Sequence, residues 1–489
     1  QKIMNLIFEN LQEFWIVYSF LLMYTLLMAH HAYGGHKQTR EISDYYIGGR
    51  KMGGLILGLS FFATYSSTNS FVGFSGQAYS WGTPWFLLVP FLVGFSLFSW
   101  IIVAPRLRTF TRLLDSLTIP DFIGFRFESK IARVMASFIV IFASLFYMTA
   151  VFKGIGNLLE TFMDIPYKVA ILVIFFIVVA YTATGGFISV VKTDAVQGII
   201  MSIAAVLLFI GTVNAAGGLG AFQEIREASN TAPLFTWNGG IALPTLFGVL
   251  VSATIKMAVE PRQLARFYAL EGKNATRKGM MVSTIAFTSV YLLLVPIGIY
   301  AHKVIGDGLG DTDLVVPTLL ITEGVFFPVV SSFLLVAMVA AAMSSLDSVL
   351  LVMASTAERD IRGLLWPTNS DKKTLKATKI YVVIFAAITA GIALDPPGSI
   401  VGLTALSGSM YAACFLPSIV FGLYWRRGNS SAVIGSFVTG LFVLSFWPWV
   451  EYLHQVFPAV IGSSLVYTLI AFMGPKIETE RISQLFDID

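Results

Sequence analysis

Long apolar runs recur along the whole chain, and they constrain its fold more than any other feature. Of the 489 residues, 56% are hydrophobic and only 12% are charged, whereas a soluble globular protein is about 25% charged. A helix of about 20 apolar residues spans a membrane. Thirteen segments meet this requirement: 12–30, 54–79, 83–105, 132–160, 167–187, 192–215, 245–265, 277–303, 317–356, 377–394, 398–424, 432–449 and 453–474. The sequence therefore predicts an all-α polytopic membrane protein with about 13 transmembrane helices, and segment 317–356 is long enough to contain a break or an additional short helix.

The remaining composition excludes several classes of protein. The net charge of +4 comes from basic residues in short loops between apolar runs, which is not the pattern of a nucleic-acid-binding surface. The 5 histidines lie near the ends of spans, and the sequence has no HExxH motif or glycine-rich phosphate loop, so we do not expect an enzyme. The single cysteine, Cys414, permits no intramolecular disulfide. The run 14–29 lacks a basic leader and a cleavage site, and we interpret it as a spanning helix rather than a signal peptide.

The distribution of basic residues predicts the orientation of the chain. One set of alternate loops holds 26 lysines and arginines, with Arg262 and Arg266 among them. The other set holds only Lys2, Lys168, Arg226 and Lys303. Because loops rich in lysine and arginine stay in the cytoplasm, we expect a multi-pass protein of the cell membrane with its N-terminus outside and its C-terminus in the cytoplasm. This arrangement needs an odd number of spans, which agrees with thirteen.

Polar side chains within spans are costly and therefore mark candidate sites. In the stretch "AAAMSSLDSVL", Ser344, Asp347 and Ser348 have the i, i+3, i+4 spacing of one helix face. Ser345 lies beside them, and Ala341 lies one turn earlier. Hydroxyl and carboxylate oxygens are hard ligands that suit a hard cation such as sodium. The alternatives are serines bonded back to their own helix and a structural Asp347 hydrogen-bonded within the bundle.

Two further stretches combine polar residues with glycines inside apolar surroundings. Asp194 in "TATGGFISVVKTDAVQG" follows a Gly-Gly turn and begins an apolar helix, so it is either a cation ligand reached from inside or a helix-terminal carboxylate facing the cytosol. The stretch 61–82, "FFATYSSTNSFVGFSGQAYSWG", favours local unwinding, which membranes tolerate only where the backbone lines a cavity. Freed carbonyls at such a break can coordinate sodium, whereas a packing interface of small residues is the alternative.

Two lysines lie at membrane depth, Lys153 and Lys256. If they face a central cavity they favour a substrate with a carboxylate, and snorkelling to an interface is the alternative. Pro261 predicts that the helix around 253–262 is interrupted. Four unbroken spans separate this break from the one near 61–76, so each half of the core has five spans and the halves are inverted. This is the plan of inverted-repeat transporters, with the binding site at the bilayer midplane.

Four motifs resemble the sodium/solute symporter family, which includes sodium–proline, sodium–pantothenate, sodium–glucose and sialic acid transporters. They are "DYYIGGRKMGG" before the first core helix, "ATGGFISVVKTDAVQG" around the fourth and fifth, "PRQLARFYAL" after the sixth and "AAAMSSLDSVLLVMAS" in the eighth. The resemblance covers about 44–474 and implies a LeuT-like 5+5 inverted repeat with broken first and sixth core helices. It divides the chain into a peripheral transmembrane helix with a cytoplasmic loop (1–43), a ten-helix transporter core (44–425) and two peripheral helices with a short cytoplasmic tail (426–489).

The resemblance also implies residues for sodium binding. A principal site would lie between the first and eighth core helices, formed by the carbonyls of Ala63, Ser66 and Ala341 and the hydroxyls of Ser344 and Ser345. Some members have a second sodium site closer to the cytoplasm, and its matching positions are Asp194, Ser344, Asp347 and Ser348. Many relatives have a neutral residue at position 347, so the number of sodium ions, one or two, and a contribution from protons stay open.

The substrate is less constrained by the resemblance. The first core helix is most similar to pantothenate- and monocarboxylate-type members and lacks the "SDMSGW"-like pattern of proline transporters. Family position places the substrate cavity around Tyr65, Ser67, Ser70, Lys256 and Ser409, and the charge of Lys153 makes it a further candidate.

We therefore expect a sodium-coupled secondary active symporter that imports a small carboxylate-bearing anion by alternating access. A neutral amino acid or a sugar is the alternative substrate, and a transporter-like solute sensor is the alternative from another class. The expected partners are sodium ions, a small-molecule substrate and the lipid bilayer, without nucleic acid, and we expect the monomer to be functional.

Overall fold

Apolar helices of membrane-spanning length make up most of the chain. The structure, a computed structural model, describes residues 12–38, 41–367, 370–450, 452–475, 477 and 479–487. Within these ranges 10 helices are long and apolar enough to cross a membrane, and there are four shorter apolar helices: Gly54–Tyr65, Tyr167–Ala180, Thr312–Ile321 and Ser430–Phe446. The predicted all-α fold with many apolar helices is therefore confirmed, and the number of helices agrees with about 13 spans. The beginning of segment 1–43 and three residues of the charge count lie outside the described residues: Lys2, Arg40 and Lys476.

The spans form a ten-helix core flanked by peripheral helices. A peripheral helix, Trp15–Gln38, comes first. The core helices follow in this order: first, Gly54–Tyr65 with Phe74–Trp81; second, Thr83–Leu113; third, Lys130–Met163; fourth and fifth, the two arms of Tyr167–Ala215; sixth, Leu243–Ile255 with Pro261–Ala269; seventh, Lys273–Ile305; eighth, Pro328–Thr356; ninth, Asp371–Ala393; tenth, Ile400–Tyr424. Two peripheral helices follow, Ser430–Phe446 and Val456–Met473. Short helices lie in the connections: Ile42–Ile47, Ile119–Arg126, Ala221–Glu227, Val315–Ile321 and Glu480–Phe486.

The first and sixth core helices are interrupted where the sequence predicts breaks. The first core helix stops at Tyr65, because Ser66 has extended backbone angles (φ −75°, ψ 115°), and it resumes at Asn69. The sixth core helix tightens into a 3₁₀ turn, Lys256–Ala258, and restarts at Pro261, whose missing N–H costs nothing at the start of a helix. Both predicted breaks are confirmed, and they lie at equivalent places in the two halves of the core.

Two other interruptions shape the core. Gly186 has a left-handed φ of 65° and separates the fourth core helix from the fifth, a conformation that glycine adopts without strain. The segment 317–356 contains the predicted break, because the short helix Val315–Ile321 ends before the eighth core helix begins at Pro328.

Close backbone contact fixes the first core helix against the seventh. A Cβ atom on Gly58 would lie 2.6 Å from the carbonyl oxygen of Gly279, and one on Gly54 would lie 2.1 Å from that of Ala275. Small residues four apart allow such approach between membrane helices. The first and seventh core helices therefore pack backbone to backbone, which sets the position of the break at Ser66.

The N-terminal peripheral helix packs on the core. Gln197 in the fifth core helix donates to the Tyr24 hydroxyl at 2.6 Å. The rings of Phe20 and Phe333, in the eighth core helix, have centroids 5.9 Å apart. The opposite face of the helix is apolar and exposed, with Met23 at 65% exposure. Its outer face is therefore suited to lipid contact.

Buried ion pairs join three elements at one end of the core. We refer to this as the basic end, defined by Arg106, Arg126, Lys273, Arg359 and Arg426. Arg133 Nη2, in the third core helix, lies 2.8 Å from Asp121 Oδ1 and 2.7 Å from Asp360 Oδ1. Arg359 Nε donates to Asp121 Oδ2 at 2.7 Å. Both carboxylates are fully buried, so each depends on its guanidinium partner for charge compensation.

Replacing Arg133 with methionine should therefore destabilise the protein strongly. The variant leaves Asp121 and Asp360 close together with one guanidinium between them, and removing one partner of a buried ion pair costs about 3–5 kcal/mol. Thermal unfolding in detergent measures the effect. Lys130→Met is the matched control, since Lys130 is exposed in the first turn of the same helix. Equal melting temperatures for the two variants would contradict a structural role for the network.

Candidate functional site

The break in the first core helix releases backbone carbonyls in the middle of the protein. The last carbonyls of a helix have no partner within the helix, and those of Ala63 and Thr64 instead accept hydrogen bonds from the eighth core helix. Ser344 Oγ donates to the Ala63 oxygen at 3.0 Å, and Ser345 Oγ donates to the Thr64 oxygen at 3.0 Å. Ser344 Oγ also lies 2.8 Å from the carbonyl oxygen of Ala341. We refer to these five residues as the principal cluster.

The principal cluster contains four of the five residues that the sequence predicted for the principal sodium site. All of its members are fully buried, and all of its oxygens are hard ligands of the type that sodium prefers. The hydroxyl of Ser66 lies 3.1 Å from the Tyr291 hydroxyl in the seventh core helix, and sodium binding by the Ser66 carbonyl stays a prediction. Thr64 was not predicted. Its position in the last turn before the break is the signal that could have identified it.

A second cluster surrounds Asp194 in the fifth core helix. Asp194 Oδ2 accepts hydrogen bonds from the hydroxyls of Ser60 at 2.7 Å and Thr64 at 3.0 Å. Arg266 Nη2 lies 2.6 Å from the same oxygen, and it donates to Ser348 Oγ at 2.8 Å. The structure thus brings the predicted Asp194 and Ser348 to one place. Asp194 lies well inside its helix and is fully buried, so it is not a helix-terminal carboxylate facing the cytosol.

Arg266 and Arg262 are the functional-site residues that the sequence interpretation placed wrongly. Both were counted among the basic residues of cytoplasmic loops, whereas they lie in the inner half of the sixth core helix, Pro261–Ala269, and are each 1% exposed. Arg262 Nη1 donates to the Thr64 carbonyl at 2.6 Å, and its Nε donates to Glu260 at 2.5 Å. Removing these two arginines changes the loop count to 24 against 4. Their four-residue spacing after Pro261 could have placed them on one helix face.

Asp347 is buried between the two clusters without a well-formed hydrogen bond. It is fully buried, and neither of its carboxylate oxygens has a hydrogen-bond partner among the described residues. It also interacts electrostatically with Asp194 and Arg266. Two carboxylates this close repel each other unless a cation lies between them or one of them is protonated.

The predicted substrate residues fall into groups around the two breaks. The Tyr65 hydroxyl donates to the Ala253 carbonyl at 2.8 Å in the sixth core helix. Lys256 Nζ lies 5.1 Å from the Tyr65 ring centroid and 4.8 Å from that of Tyr147. Lys256 is 1% exposed, and among the described residues its ammonium group has no carboxylate within ion-pair distance. Tyr65 and Lys256 are therefore brought together, and Tyr147 joins them as a residue that the sequence did not indicate.

The serines of the first break meet Tyr291, which the sequence interpretation also missed. Ser70 Oγ lies 2.5 Å from the Tyr291 hydroxyl, and Ser67 Oγ accepts from the Asn69 amide at 3.2 Å. Tyr291 stands near Tyr65, with ring centroids 6.4 Å apart. An aromatic residue in an otherwise apolar span gives no sequence signal, so only the packing of the seventh core helix reveals it.

Two predicted substrate residues lie elsewhere. Ser409 in the tenth core helix donates to Ser252 Oγ at 2.9 Å, which joins the tenth and sixth core helices. Lys153 Nζ lies 2.7 Å from Asp313 Oδ2, whose other contact is the Ile400 amide at 3.1 Å. The structure therefore places Lys153 in an ion pair between the third core helix, the connection before the eighth and the start of the tenth.

The core has two inverted halves, and each half contains one broken helix. At each break the free backbone lies beside hydroxyls and charged side chains. This arrangement is typical of a secondary transporter. The family model described as "Sodium:solute symporter family" matches residues 45–440. The chain belongs to this family, so it is a sodium-coupled symporter rather than an enzyme.

Individual relatives and a solved structure agree with this assignment. The chain is 30% identical over 452 residues to the sodium/pantothenate symporter of Haemophilus influenzae, covering 91% of this chain and 92% of that one. It is 32% identical over 425 residues to the osmoregulated proline transporter OpuE of Bacillus subtilis, covering 84% of each. The substrate-bound, outward-open structure of a Na⁺-coupled sialic acid symporter superposes with a TM-score of 0.81 at 20% identity, covering 94% and 98% of the two chains. The predicted family and LeuT-like fold are confirmed.

The Asp194–Arg266 pair should be strongly coupled in a double-mutant cycle. Asp194→Asn and Arg266→Gln each leave one buried charge without its partner, and each should cost about 3 kcal/mol or more. The double variant should be more stable than the sum of the two effects predicts, with a coupling energy of about 1–3 kcal/mol. Thermal unfolding in detergent measures all four proteins.

The exposed pair Glu224–Lys303 provides the matched cycle, with Glu224→Gln and Lys303→Gln. Because surface ion pairs contribute little, its coupling should be close to zero. Additive effects in the Asp194–Arg266 cycle would show that the buried contact is not the interaction on which the two side chains depend.

Proposed function

We propose that the protein imports a small carboxylate-bearing solute together with sodium. The observation that supports this substrate class is the state of Lys256. Lys153, Arg262 and Arg266 each have a carboxylate within ion-pair distance, whereas the buried Lys256 has none among the described residues and lies over two aromatic rings. Its nearby carboxylate, Glu260, is already paired with Arg262. A buried charge is normally paired, and a substrate carboxylate between Tyr65, Lys256 and Tyr291 would supply the partner.

The relatives are compatible with this substrate class. Pantothenate and proline, the solutes in the names of the two relatives, differ in size and in net charge. They share a carboxylate, as does sialic acid. If one lysine recognises the carboxylate that these solutes share, related proteins can accept solutes that differ in the rest of the molecule. The neutral alternative, a sugar, would leave the Lys256 charge unpaired in the loaded transporter.

We propose that one sodium ion binds at the principal cluster in each transport cycle. Ala63, Thr64, Ala341, Ser344 and Ser345 offer three carbonyl and two hydroxyl oxygens across the first and eighth core helices. At the second cluster, the guanidinium of Arg266 lies beside Asp194 and Ser348, where a sodium ion would otherwise bind. A second ion, coordinated by Asp194, Ser344, Asp347 and Ser348, would require Arg266 to withdraw.

The transport cycle that we propose couples these sites. Sodium joins the first and eighth core helices and favours the arrangement that is open to the outside, and the substrate then binds beside the breaks. The ion pair of Lys153 with Asp313 supports a role in outer closure rather than in substrate contact. A narrow cavity of about 20 Å³, lined in part by Phe187, Arg266 and Ser348, supports an inner exit along the second cluster.

The orientation and assembly are also part of the proposal. The 24 against 4 distribution of loop lysines and arginines favours a cytoplasmic basic end, an external N-terminus and a cytoplasmic C-terminus. Each sodium ion that enters through a membrane potential of about 100 mV then releases about 2.3 kcal/mol, which corresponds to roughly 50-fold accumulation of a solute without net charge. A monoanionic solute that enters with one sodium ion cancels this charge, so its accumulation depends on the sodium concentration gradient alone. Both clusters are formed within one chain, which supports a functional monomer with the peripheral segments 1–43 and 426–489 around the core 44–425.

Sodium should stabilise the folded protein through the principal cluster. A ligand at tenfold its dissociation constant adds about 1.4 kcal/mol to the free energy of unfolding. The wild-type protein should therefore melt at a higher temperature in sodium than in choline at equal ionic strength, and Ser344→Ala should lose this difference. Ser436→Ala is the control, because Ser436 is also buried and bonded back to its own helix but lies in a peripheral helix.

The dependence of the melting temperature on sodium concentration also tests how many sodium ions bind. A steeper sodium dependence in Arg266→Gln than in wild type would support a second ion position beside Asp194. If Ser344→Ala keeps the full sodium effect, sodium does not bind at the principal cluster.

Lys256→Met should weaken sodium-driven uptake of a carboxylate solute while sodium binding persists. Uptake by proteoliposomes is measured with an inward sodium gradient for pantothenate, proline, a monocarboxylate and an uncharged sugar. Loss of the lysine should raise the apparent KM of the carboxylate substrate by tenfold or more, since charge-assisted contacts contribute about 1.5–3 kcal/mol. Lys168→Met removes an exposed lysine and should leave uptake unchanged. Transport of the sugar alone, unaffected by Lys256→Met, would overturn the anionic substrate.

A further inference from the structure

A cleft of about 790 Å³ opens on the side of the core at the basic end. It lies between the last turns of the second core helix and the first turns of the seventh, away from both clusters. Four of its lining residues are basic: Arg106, Arg108, Lys273 and Arg277. Apolar side chains, among them Trp100, Ile101 and Met280, form the rest of its wall.

The positive charges of this cleft are not compensated by the protein. None of the four basic residues forms an ion pair among the described residues. Arg106 donates to the Leu423 carbonyl at 2.9 Å and lies over the Tyr424 ring. Arg108 Nε is buried without a hydrogen-bond partner. A buried donor of this kind costs free energy unless a ligand supplies the acceptor.

The start of the seventh core helix adds to the positive field. Lys273 is its first residue, and its first turn contains no acidic side chain. Gly272 at the N-cap supplies no side-chain acceptor for the free N–H groups. Basic residues at a helix N-terminus oppose the helix dipole, so Lys273 and Arg277 raise the energy of this end. An anion bound between them would remove the conflict and accept from the free amides.

The apolar wall distinguishes the ligand from a soluble anion. Trp100 is buried, whereas Ile101 is 54% exposed, as an apolar side chain in contact with lipid would be. Met280 lies one turn beyond Arg277 along the seventh core helix. The cleft therefore continues from a cationic rim into an apolar groove, which matches a molecule with an anionic head and hydrocarbon chains.

We propose that this cleft is a binding site for an anionic phospholipid. The phosphate group binds Arg108, Lys273, Arg277 and the free amides of the seventh core helix, and the acyl chains lie along Trp100, Ile101 and Met280. Only the assignment to the cytoplasmic leaflet rests on the orientation proposed above. A bound lipid would clamp the second and seventh core helices, the latter packed on the first through Gly58 and Gly279.

The test measures lipid retention by the purified full-length protein in detergent. Native mass spectrometry compares phosphatidylglycerol with phosphatidylcholine of the same acyl chains, and thermal unfolding measures the stabilisation by each lipid. Wild type should retain phosphatidylglycerol and be stabilised by it, and phosphatidylcholine should have little effect. The double variant Lys273→Gln/Arg277→Gln should bind phosphatidylglycerol roughly tenfold or more weakly, because two cations of the site are lost.

The matched control is Lys372→Gln/Lys373→Gln, which removes two exposed lysines from the first turn of the ninth core helix. It should retain phosphatidylglycerol like wild type. Lys273 and Arg277 are exposed, so their variant should fold, and melting without lipid checks this. Equal losses in both double variants would show diffuse attraction instead of a site. Equal stabilisation by inorganic phosphate or by phosphatidylcholine would likewise overturn the proposal. Sodium binding is not involved in this readout, so its outcome is independent of the transport function.

Discussion

The rest of the site depends on one constraint, that the backbone carbonyls released at a helix break must find partners in an interior that excludes water. At the break after Tyr65, the Ala63 and Thr64 carbonyls are satisfied by Ser344, Ser345 and Arg262. These donors come from the eighth and sixth core helices. The requirement for satisfaction therefore joins three helices at one point. At the sodium site that we propose, the ion would coordinate the same oxygens that the hydroxyls bond, so ion binding would exchange one set of contacts for another.

The sequence predicts those features that depend on composition and on local residue chemistry. Spans follow from apolar length, and the breaks follow from the polar, glycine-rich stretch around Ser66 and from Pro261. The serine face of the eighth core helix is likewise readable from its spacing. Arg266 and Tyr291 were not predicted, because their roles depend on which helix faces pack together. The same reason explains Lys153: its depth in the third core helix was visible, but its partner Asp313 comes from a distant connection.

The buried cationic side chains differ in whether a carboxylate of the protein lies within ion-pair distance of them. Arg133, Arg262 and Arg266 are each buried against a carboxylate, and such pairs hold elements in register even when their net contribution to stability is small. Lys256 is as deeply buried, yet its ammonium group lies over the Tyr65 and Tyr147 rings and has no carboxylate within ion-pair distance among the described residues. Cation–π contacts offset part of the desolvation cost, and the nearby Glu260 is already paired with Arg262. A substrate anion would supply the missing direct partner, which is the basis of the role that we propose for this lysine.

Thr64 connects the two clusters and provides a physical route for coupling. Its carbonyl accepts from Ser345 in the principal cluster, and its hydroxyl accepts from Arg266 and donates to Asp194 in the second. An ion that draws on the Thr64 carbonyl must change the position of this residue relative to Arg266. Arg266 Nη2 contacts Thr64, Asp194 and Ser348 together. In the cycle that we propose, opening an inner path would separate the first core helix from the fifth and eighth, and these contacts would break together because one guanidinium makes all of them. A shift at the proposed sodium site would thereby be coupled to the inner path through Thr64.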